Sequence, residues 1–298
     1  MSAPSPAQRI MLSPLRYPGG KGSLYSRLCD LLRANDLVGG TYVEPYAGGA
    51  GAALNLLITG QVSRVVLNDL DPAIYALWRA VVERPDEFAQ MTKNAVLDVP
   101  EWRRQRSTYM AANRSDYLAL GFATFYLNRT NHSGALNGGP IGGLTQTGTY
   151  KIDARFNKAA LLERLRLIAL YSKRIEVLMK DGMQVIEEYA GQDRTLIYAD
   201  PPYFEKAGSL YMNSFTPSDH AKLADCLNSR PQVSWLLTYD HVPEVADLYP
   251  HRRRQPFTLN YSAHHVIKAT EIMILADALR VPLDPQESRA NVVAERHS

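Results

Sequence analysis

The sequence predicts an α/β fold in which a mainly parallel β-sheet is covered by helices. Between residues 43 and 82, and again between residues 159 and 238, apolar segments of strand length alternate with segments of helical pattern. This alternation favours parallel strands, because each helix returns the chain to the starting edge of the sheet. Two later segments, Thr258–Ser262 and Glu271–Ala276, are expected to close the sheet as an antiparallel pair. We therefore expect one doubly wound sheet.

The first run joins a glycine-rich turn to an acidic strand end. Its opening strand, Val43-Glu44-Pro45-Tyr46, leads into the turn Gly48–Gly51. The next strand, Arg64–Leu67, is followed by Asp69 and by a helix that begins at Pro72. An acidic side chain about 20 residues beyond such a turn can accept the hydroxyl groups of a ribose. Asp69 is therefore a candidate ribose ligand, with a helix cap before Pro72 as the alternative.

The glycine turn favours a nucleoside ligand without a pyrophosphate. Its spacing differs from the G-x-G-x-x-G of dinucleotide-binding folds. Pro18–Ser23 resembles a phosphate loop only superficially, because Leu15 stands where the first glycine of that loop belongs. S-adenosylmethionine is a suitable nucleoside, with its ribose at Asp69 and its amino-acid end against the turn. S-adenosylmethionine is therefore a candidate ligand of this turn.

The second run contains the most informative motif, Asp200-Pro201-Pro202-Tyr203. It directly follows the apolar segment Thr195–Ala199, which is predicted to be a buried strand. Two prolines end the strand's hydrogen bonding just past its carboxyl end, where ligands bind in open α/β sheets. A carboxylate, carbonyls and an aromatic face at such a place suit an exocyclic amine. The alternative is a strand-ending turn that happens to contain tyrosine.

The other segments of the second run continue the alternation. They are a helix over Ala159–Ser172, a strand over Arg174–Met179 that ends at Asp181-Gly182, a helix over Met183–Tyr189, a helix over Ser218–Asn228 capped by Ser218, and a strand over Val233–Thr238.

Residues 85–158 do not follow the alternation, and we expect an inserted subdomain there. The segment is helical in pattern at first and then glycine-rich, which predicts a hairpin or lid. From Arg103 to Lys158 it has eight basic side chains and two acidic ones, which favours a phosphate-contacting surface over a solvated basic face. The predicted domains are a discontinuous catalytic domain (1–84 and 159–280), the insertion (85–158) and a flexible tail (281–298).

The composition is that of a soluble globular protein, with 46% hydrophobic and 21% charged residues among 298. No apolar stretch has the length of a membrane span, and the N-terminus lacks the pattern of a signal peptide. Cys29 and Cys226 lie far apart, and neither has the spacing of a metal ligand. We expect a reduced, cytoplasmic protein with no membrane partner and no metal site.

Five motifs in a fixed order identify a family resemblance. They are Arg16–Lys21, Val43–Tyr46 with Gly48 and Gly51, Asn68–Asp71, Phe125–Arg129 followed by Gly134, and Asp200–Tyr203. In this order the chain resembles the Dam-type DNA adenine N6-methyltransferases over nearly its whole length. The resemblance implies a Rossmann-like, S-adenosylmethionine-dependent methyltransferase sheet. It also implies that the insertion is a mainly helical target-recognition subdomain.

The resemblance implies roles for individual residues. Residues matching Tyr17, Lys21, Asp69 and Asp200 contact the cofactor in that family. The predicted cofactor site is completed by residues at the strand ends: Glu44, Tyr46, Gly48, Gly51, Asp181 and Gly182. The predicted DNA-binding residues are Asn128, Arg129, His132 and Ser133. The segment Thr130–Ser133 departs from the family, in which aromatic and asparagine residues are common there, so base contacts are not carried over.

The catalytic prediction involves Asp200, Pro201, Pro202 and Tyr203. Asp200 and the Pro201 carbonyl would accept the two amino hydrogens of adenine and turn its lone pair toward the methyl donor. Tyr203 would stack on the base after the base leaves the duplex. We therefore expect a monomer that methylates adenine in double-stranded DNA. Methylation of adenine in ribosomal RNA, and a catalytically silent DNA-binding homologue, are the alternatives.

Overall fold

A computed structural model describes residues 12–16, 24–204, 215–262 and 266–281. In these residues seven strands form one sheet, in the order β3-β2-β1-β4-β5-β7-β6. Neighbours among β1 to β5 are parallel, whereas β7 runs antiparallel to both β5 and β6. The strands are β1 (Thr41–Glu44), β2 (Arg64–Asn68), β3 (Ile175–Leu178), β4 (Thr195–Ala199), β5 (Trp235–Asp240), β6 (Arg253–Ser262) and β7 (Val266–Leu275).

Helices occupy most of the connections between the strands. None of those that the structure describes is long and apolar enough to cross a membrane. They are α1 (Tyr25–Ala34), α2 (Gly51–Ile58), α3 (Pro72–Glu83), α4 (Pro85–Asn94), α5 (Val99–Ala111), α6 (Tyr117–Thr130), α7 (Lys158–Leu170), α8 (Gly182–Tyr189), α9 (Pro217–Asn228) and α10 (Pro243–Leu248).

Successive residues of the central strands enter two different hydrophobic cores. In β1, Tyr42 packs in the core that includes α1 to α7, whereas Val43 packs in the core that includes α8 to α10. In β4, Tyr198 and Ile197 divide between the two cores in the same way. Side chains alternate across a strand, so a strand that is apolar at every position must be covered on both faces. This explains why the predicted strands are continuous apolar runs.

The strand order creates a crevice at the carboxyl ends of β1 and β4. These two strands are direct neighbours. From β1 the chain passes through α2 to β2 on one side, and from β4 it passes through α9 to β5 on the other. The two connections leave in opposite directions, which opens a space for a ligand between them. The residues predicted to form the active site follow these strand ends.

The structure confirms the predicted α/β class and the two alternating runs. The closing antiparallel pair is longer than predicted, because β6 begins at Arg253 and β7 at Val266. The prediction of Ser218 as a helix cap is wrong. Thr216 caps α9 in a reciprocal capping box with Asp219, and the proline that follows it occupies the first helical turn.

The region predicted to be an insertion shares a core with the helices of the catalytic fold. Trp102 of α5 and Phe125 of α6 pack in the same hydrophobic cluster as Trp78 of α3. Residues 135–157 form turns, with one isolated antiparallel bridge between Asn131 and Pro140, in place of a regular hairpin. The domain boundaries given above, including the insertion at 85–158, remain a prediction.

Candidate active site

The glycine turn after β1 is held from two sides. Gly48 has a φ of +45°, a conformation that favours glycine. Its N–H donates to Asp69 Oδ2 at 2.9 Å, and its carbonyl accepts from Trp78 Nε1 of α3 at 2.8 Å. No atom of the described residues lies within 4 Å of a Cβ built at Gly51, so this part of the structure leaves open space beside the first turn of α2. The turn is therefore rigid and borders open space.

Asp69 lies at the end of β2 and faces the glycine turn. Its Oδ1 accepts the Asp71 N–H at 3.0 Å, and Asp71 in turn caps α3 by accepting the Ala73 N–H at 2.8 Å. The alternative prediction, Asp69 as the cap before Pro72, is therefore wrong. Burial raises the pKa of Asp69 to about 6, although its two N–H partners oppose the rise. Each carboxylate oxygen accepts one bond here and has a second lone pair for a ligand hydroxyl.

Asn68 fixes the ends of three neighbouring strands. Its amide donates to the Pro45 carbonyl at 2.8 Å and to the Lys180 carbonyl at 3.0 Å, and its Oδ1 accepts the Lys180 N–H at 2.9 Å. The side chain is fully buried. It therefore ties the loops after β1 and β3 to β2, and it sets the position of Asp69 beside it.

Tyr46 packs directly on the first turn of α8. A Cβ at Gly182 would lie 2.4 Å from the Tyr46 ring, so only glycine leaves room for the ring at this place. Phe215 meets the same ring edge-on, with centroids 5.7 Å apart. Asp181 caps α8 by accepting the Met183 N–H at 2.8 Å. The predicted cofactor residues Tyr46, Asp181 and Gly182 thus form one contact group.

Glu44, at the end of β1, lies beneath the glycine turn. It is 4% exposed, and its Oε1 accepts the Ala53 N–H in the first turn of α2 at 3.1 Å. Burial raises the pKa of Glu44 to about 8, and the charge of Asp200 adds to the rise. Glu44 is therefore largely protonated at neutral pH, which removes a like-charge repulsion from the site. A direct contact between Glu44 and the cofactor remains a prediction.

Asp200 is oriented by a chain of hydroxyl groups. Thr238 Oγ1, on β5, donates to Asp200 Oδ1 at 2.7 Å. Since the single Thr238 hydroxyl proton is used there, the Tyr198 hydroxyl at 2.9 Å must donate to Thr238. Both Tyr198 and Thr238 are buried. The carboxylate thus has a fixed orientation at the crevice between β1 and β4.

The end of the motif is held by two further carboxylates. The Tyr203 hydroxyl donates to Glu271 Oε1 on β7. The next backbone N–H, that of Phe204, donates to Asp240 Oδ1 on β5 at 3.0 Å. Pro201 is buried, whereas Pro202 and Tyr203 are half-buried. All four residues of the predicted catalytic motif therefore lie at the carboxyl edge of the sheet.

The segment that leads into the first family motif, together with its first residue Arg16, contacts the glycine turn and α6. Ser13 Oγ donates to the Gly49 carbonyl at 2.6 Å. The Arg16 N–H donates to Asn128 Oδ1 at 2.7 Å, and Asn128 Nδ2 donates back to the Arg16 carbonyl at 2.9 Å. Tyr17 and Lys21, both predicted cofactor contacts, lie outside the described residues. The residues just before Tyr17 are fixed by hydrogen bonds to the glycine turn and to α6.

The predicted DNA-binding residues differ in exposure. His132 and Ser133 are exposed, whereas Asn128 is buried and bonds to protein groups, including the Gly134 carbonyl at 3.0 Å. Arg129 is 9% exposed, and its Nε has no hydrogen-bond partner in the described part of the chain. Burial, together with Arg164 and two other arginines, lowers the pKa of Arg129 to about 10. DNA contacts by these four residues remain predictions.

Comparisons with known proteins place the chain in a family. A family model described as D12 class N6 adenine-specific DNA methyltransferase matches residues 17–271. The chain belongs to this family. The match includes both the glycine turn and the Asp200–Tyr203 motif, and it confirms the resemblance found in the sequence. The D12-class protein is therefore a methyltransferase.

Individual relatives are more distant. DNA adenine methylases of Escherichia coli strain K12 and of Escherichia coli O157:H7 are each 26% identical over 231 residues, 71% of this chain and 73% of theirs. Among solved structures, the rRNA methyltransferase aviRa from Streptomyces viridochromogenes is similar over 84% of both chains, with 14% identity and a TM-score of 0.38. A TM-score at that level supports no argument, and the assignment to the D12 class depends on the family model.

Gly182→Ala is expected to weaken binding of S-adenosylmethionine about tenfold, equivalent to about 1.4 kcal/mol, because the added methyl group displaces the Tyr46 ring. Isothermal titration calorimetry would measure the affinity. Gly191→Ala is the matched control, since a Cβ at Gly191 would meet no atom of the described residues within 4 Å. If Gly182→Ala and Gly191→Ala bound S-adenosylmethionine with equal affinity, the prediction that Tyr46 contacts the cofactor would be contradicted.

Glu44→Gln is expected to become more stable relative to the wild type as pH rises. The raised pKa of Glu44 means that the folded state keeps a proton that the unfolded state loses between about pH 4.5 and about pH 8, so wild-type stability falls across this window. Glutamine cannot ionise and can still accept the Ala53 N–H. Urea unfolding across the window should show a growing difference, roughly 1–4 kcal/mol at its upper end. If the difference in unfolding free energy between the variant and the wild type did not change with pH, Glu44 would not be a buried neutral acid.

Proposed function

We propose that this D12-class protein transfers the methyl group of S-adenosylmethionine to the N6 amino group of adenine in duplex DNA. The observation that supports this most directly is the Thr238-oriented carboxylate of Asp200. It lies across the crevice from a rigid glycine turn and a half-buried acid, Asp69, at the end of β2. A carboxylate suited to accept hydrogen bonds from an amine is thus proposed to face a nucleoside site. The family to which the chain belongs is specific for adenine, which carries such an amine.

The residues present fit S-adenosylmethionine. Asp69 has lone pairs that would accept the ribose hydroxyls, and the open space beside Gly51 would receive the amino-acid end of the molecule. Tyr46 offers an aromatic face, and the family resemblance adds Tyr17 and Lys21. When bound, S-adenosylmethionine supplies an electrophilic methyl group.

The motif residues would make the adenine amine reactive. The N6 lone pair is delocalised into the ring, which makes it a poor nucleophile. Hydrogen bonds from the amine to Asp200 and to the Pro201 carbonyl would turn the lone pair out of conjugation and toward the methyl group. Positioning and fixed dipoles then provide most of the acceleration. The amine loses one proton as it gains the methyl group, and Asp200 would accept that proton because its carboxylate is a stronger base than the Pro201 carbonyl.

Adenine reaches this site only after leaving the duplex. Tyr203 is proposed to stack on the extruded base, an interaction worth roughly 1–3 kcal/mol. The basic excess between Arg103 and Lys158, with His132 and Ser133 exposed, would contact the DNA backbone. We expect the protein to act as a monomer in the cytoplasm.

Asp200→Ala is expected to abolish methyl transfer while the protein stays folded, because the variant cannot accept an amino hydrogen. Transfer of radiolabelled methyl groups to duplex DNA and to total RNA would be measured in parallel for the variant and the wild type. If the wild-type protein transferred radiolabelled methyl groups to RNA but not to DNA, the ribosomal RNA alternative would be favoured. Binding of S-adenosylmethionine by the wild type without transfer to either would favour the silent homologue.

Thr238→Val is expected to reduce kcat at least about tenfold, the usual order for loss of a hydrogen bond to a charged group. The valine keeps the shape of threonine but removes the hydroxyl that donates to Asp200 Oδ1. Thr238→Ser is the control, since it keeps the hydroxyl. Steady-state kinetics on duplex DNA would compare the two. Equal kcat values would show that this hydroxyl does not orient Asp200.

A further inference from the structure

The geometry points to Glu271 as a positioning residue that sets the orientation of the Tyr203 ring. Glu271 lies on β7, far in sequence from the motif, and no family motif given above includes it. The inference rests on the proposed function, because it concerns how the motif receives an extruded adenine. It assigns no contact between Glu271 and the base.

The Tyr203 side chain is held at its far end. Its hydroxyl donates to Glu271 Oε1, and Glu271 is only 1% exposed. The ring itself is half-buried, so one part of it remains available to a ligand. Its backbone follows Pro201 and Pro202, which restrict the main chain. With both ends fixed, the ring loses the rotational freedom that stacking on a base would otherwise have to remove.

A second carboxylate holds the neighbouring residue. Asp240 lies directly opposite Glu271 in the antiparallel pairing of β5 with β7. Its Oδ1 accepts the Phe204 N–H at 3.0 Å. Phe204 also packs on the buried His220, with ring centroids 4.8 Å apart. Two opposed side chains of the sheet thus hold two successive residues of the loop.

The two acids need hydrogen-bond donors where they lie. Asp240 and Glu271 are both buried, at 7% and 1% exposure, and occupy opposed positions on paired strands. A buried carboxyl group needs hydrogen-bond partners in place of the water it loses. The loop supplies such donors, the Phe204 N–H for Asp240 and the Tyr203 hydroxyl for Glu271, and Tyr203 is the residue proposed to stack on adenine.

The test is a double-mutant cycle on Tyr203→Phe and Glu271→Leu. Each single change removes one partner of the same hydrogen bond, so each should lower kcat on duplex DNA about tenfold, and the double variant should be no slower than either. Glu271→Gln keeps an acceptor and should stay within about threefold of the wild type. The affinity for S-adenosylmethionine should be unchanged in all of these variants.

Base extrusion is measured separately, by fluorescence of a duplex with 2-aminopurine at the target position. Extrusion of this base should be reduced in Tyr203→Phe and Glu271→Leu.

Tyr189→Phe is the matched control, since the Tyr189 hydroxyl donates to Glu176 at 2.8 Å outside the site. It should leave kcat unchanged. The positioning role would be overturned if the losses in kcat of the two single variants multiplied in the double variant. It would also be overturned if Glu271→Gln were as slow as Glu271→Leu. Methyl transfer to adenine by the wild-type protein is measured separately. If the wild type transferred no methyl group, the proposed function would be contradicted rather than the positioning role of Glu271.

Discussion

Carboxylates placed in partly or fully buried positions at the carboxyl ends of the strands determine how this site is built. A carboxylate removed from water is strongly destabilised unless donors replace the lost solvation. The surrounding loops therefore act as fixed donors, and their positions follow from the acids they serve. These donors include the Ala53 N–H for Glu44, the Gly48 N–H for Asp69, the Thr238 hydroxyl for Asp200, the Phe204 N–H for Asp240 and the Tyr203 hydroxyl for Glu271.

These acids divide into different roles because their surroundings differ. Burial raises the pKa of Glu44 to about 8, so it provides shape and a backbone bond beneath the turn with little charge at neutral pH. Asp69 faces the glycine turn and, although burial raises its pKa to about 6, is mostly ionised at neutral pH. Asp200 is oriented by a chain of hydroxyl groups. In the proposed function, Glu44 supports the turn, Asp69 faces the nucleoside and Asp200 faces the substrate amine.

Sequence patterns predicted the parts of the site that are encoded locally. Asp200 was found because two prolines follow an apolar strand, and Asp69 because it lies at a fixed spacing from a glycine turn. The same reasoning identified the wrong helix cap at Ser218, since Thr216, Ser218 and Asp219 are all suitable caps and only the backbone path selects among them.

The supporting residues could not be predicted in this way. Thr238 lies 38 residues from Asp200, Glu271 lies 68 residues from Tyr203, and Asn68 lies 112 residues from Lys180. These contacts depend on strand order, which periodicity along one chain does not determine. The available signal was chemical: a polar residue within an apolar strand, as in Leu236–Asp240, must find a buried partner. Likewise, nothing local indicated that Trp102 would join the core of the catalytic fold.

We propose that this site methylates adenine in DNA through Asp200. The most direct measurement is modified-base sequencing of DNA from a host without its own adenine methylation, expressing either the wild type or Asp200→Ala. N6-methyladenine is expected at one recurring short sequence with the wild type and nowhere with the variant. Methylation of cytosine instead, or adenine methylation that persists in the variant, would show that Asp200 does not have this role.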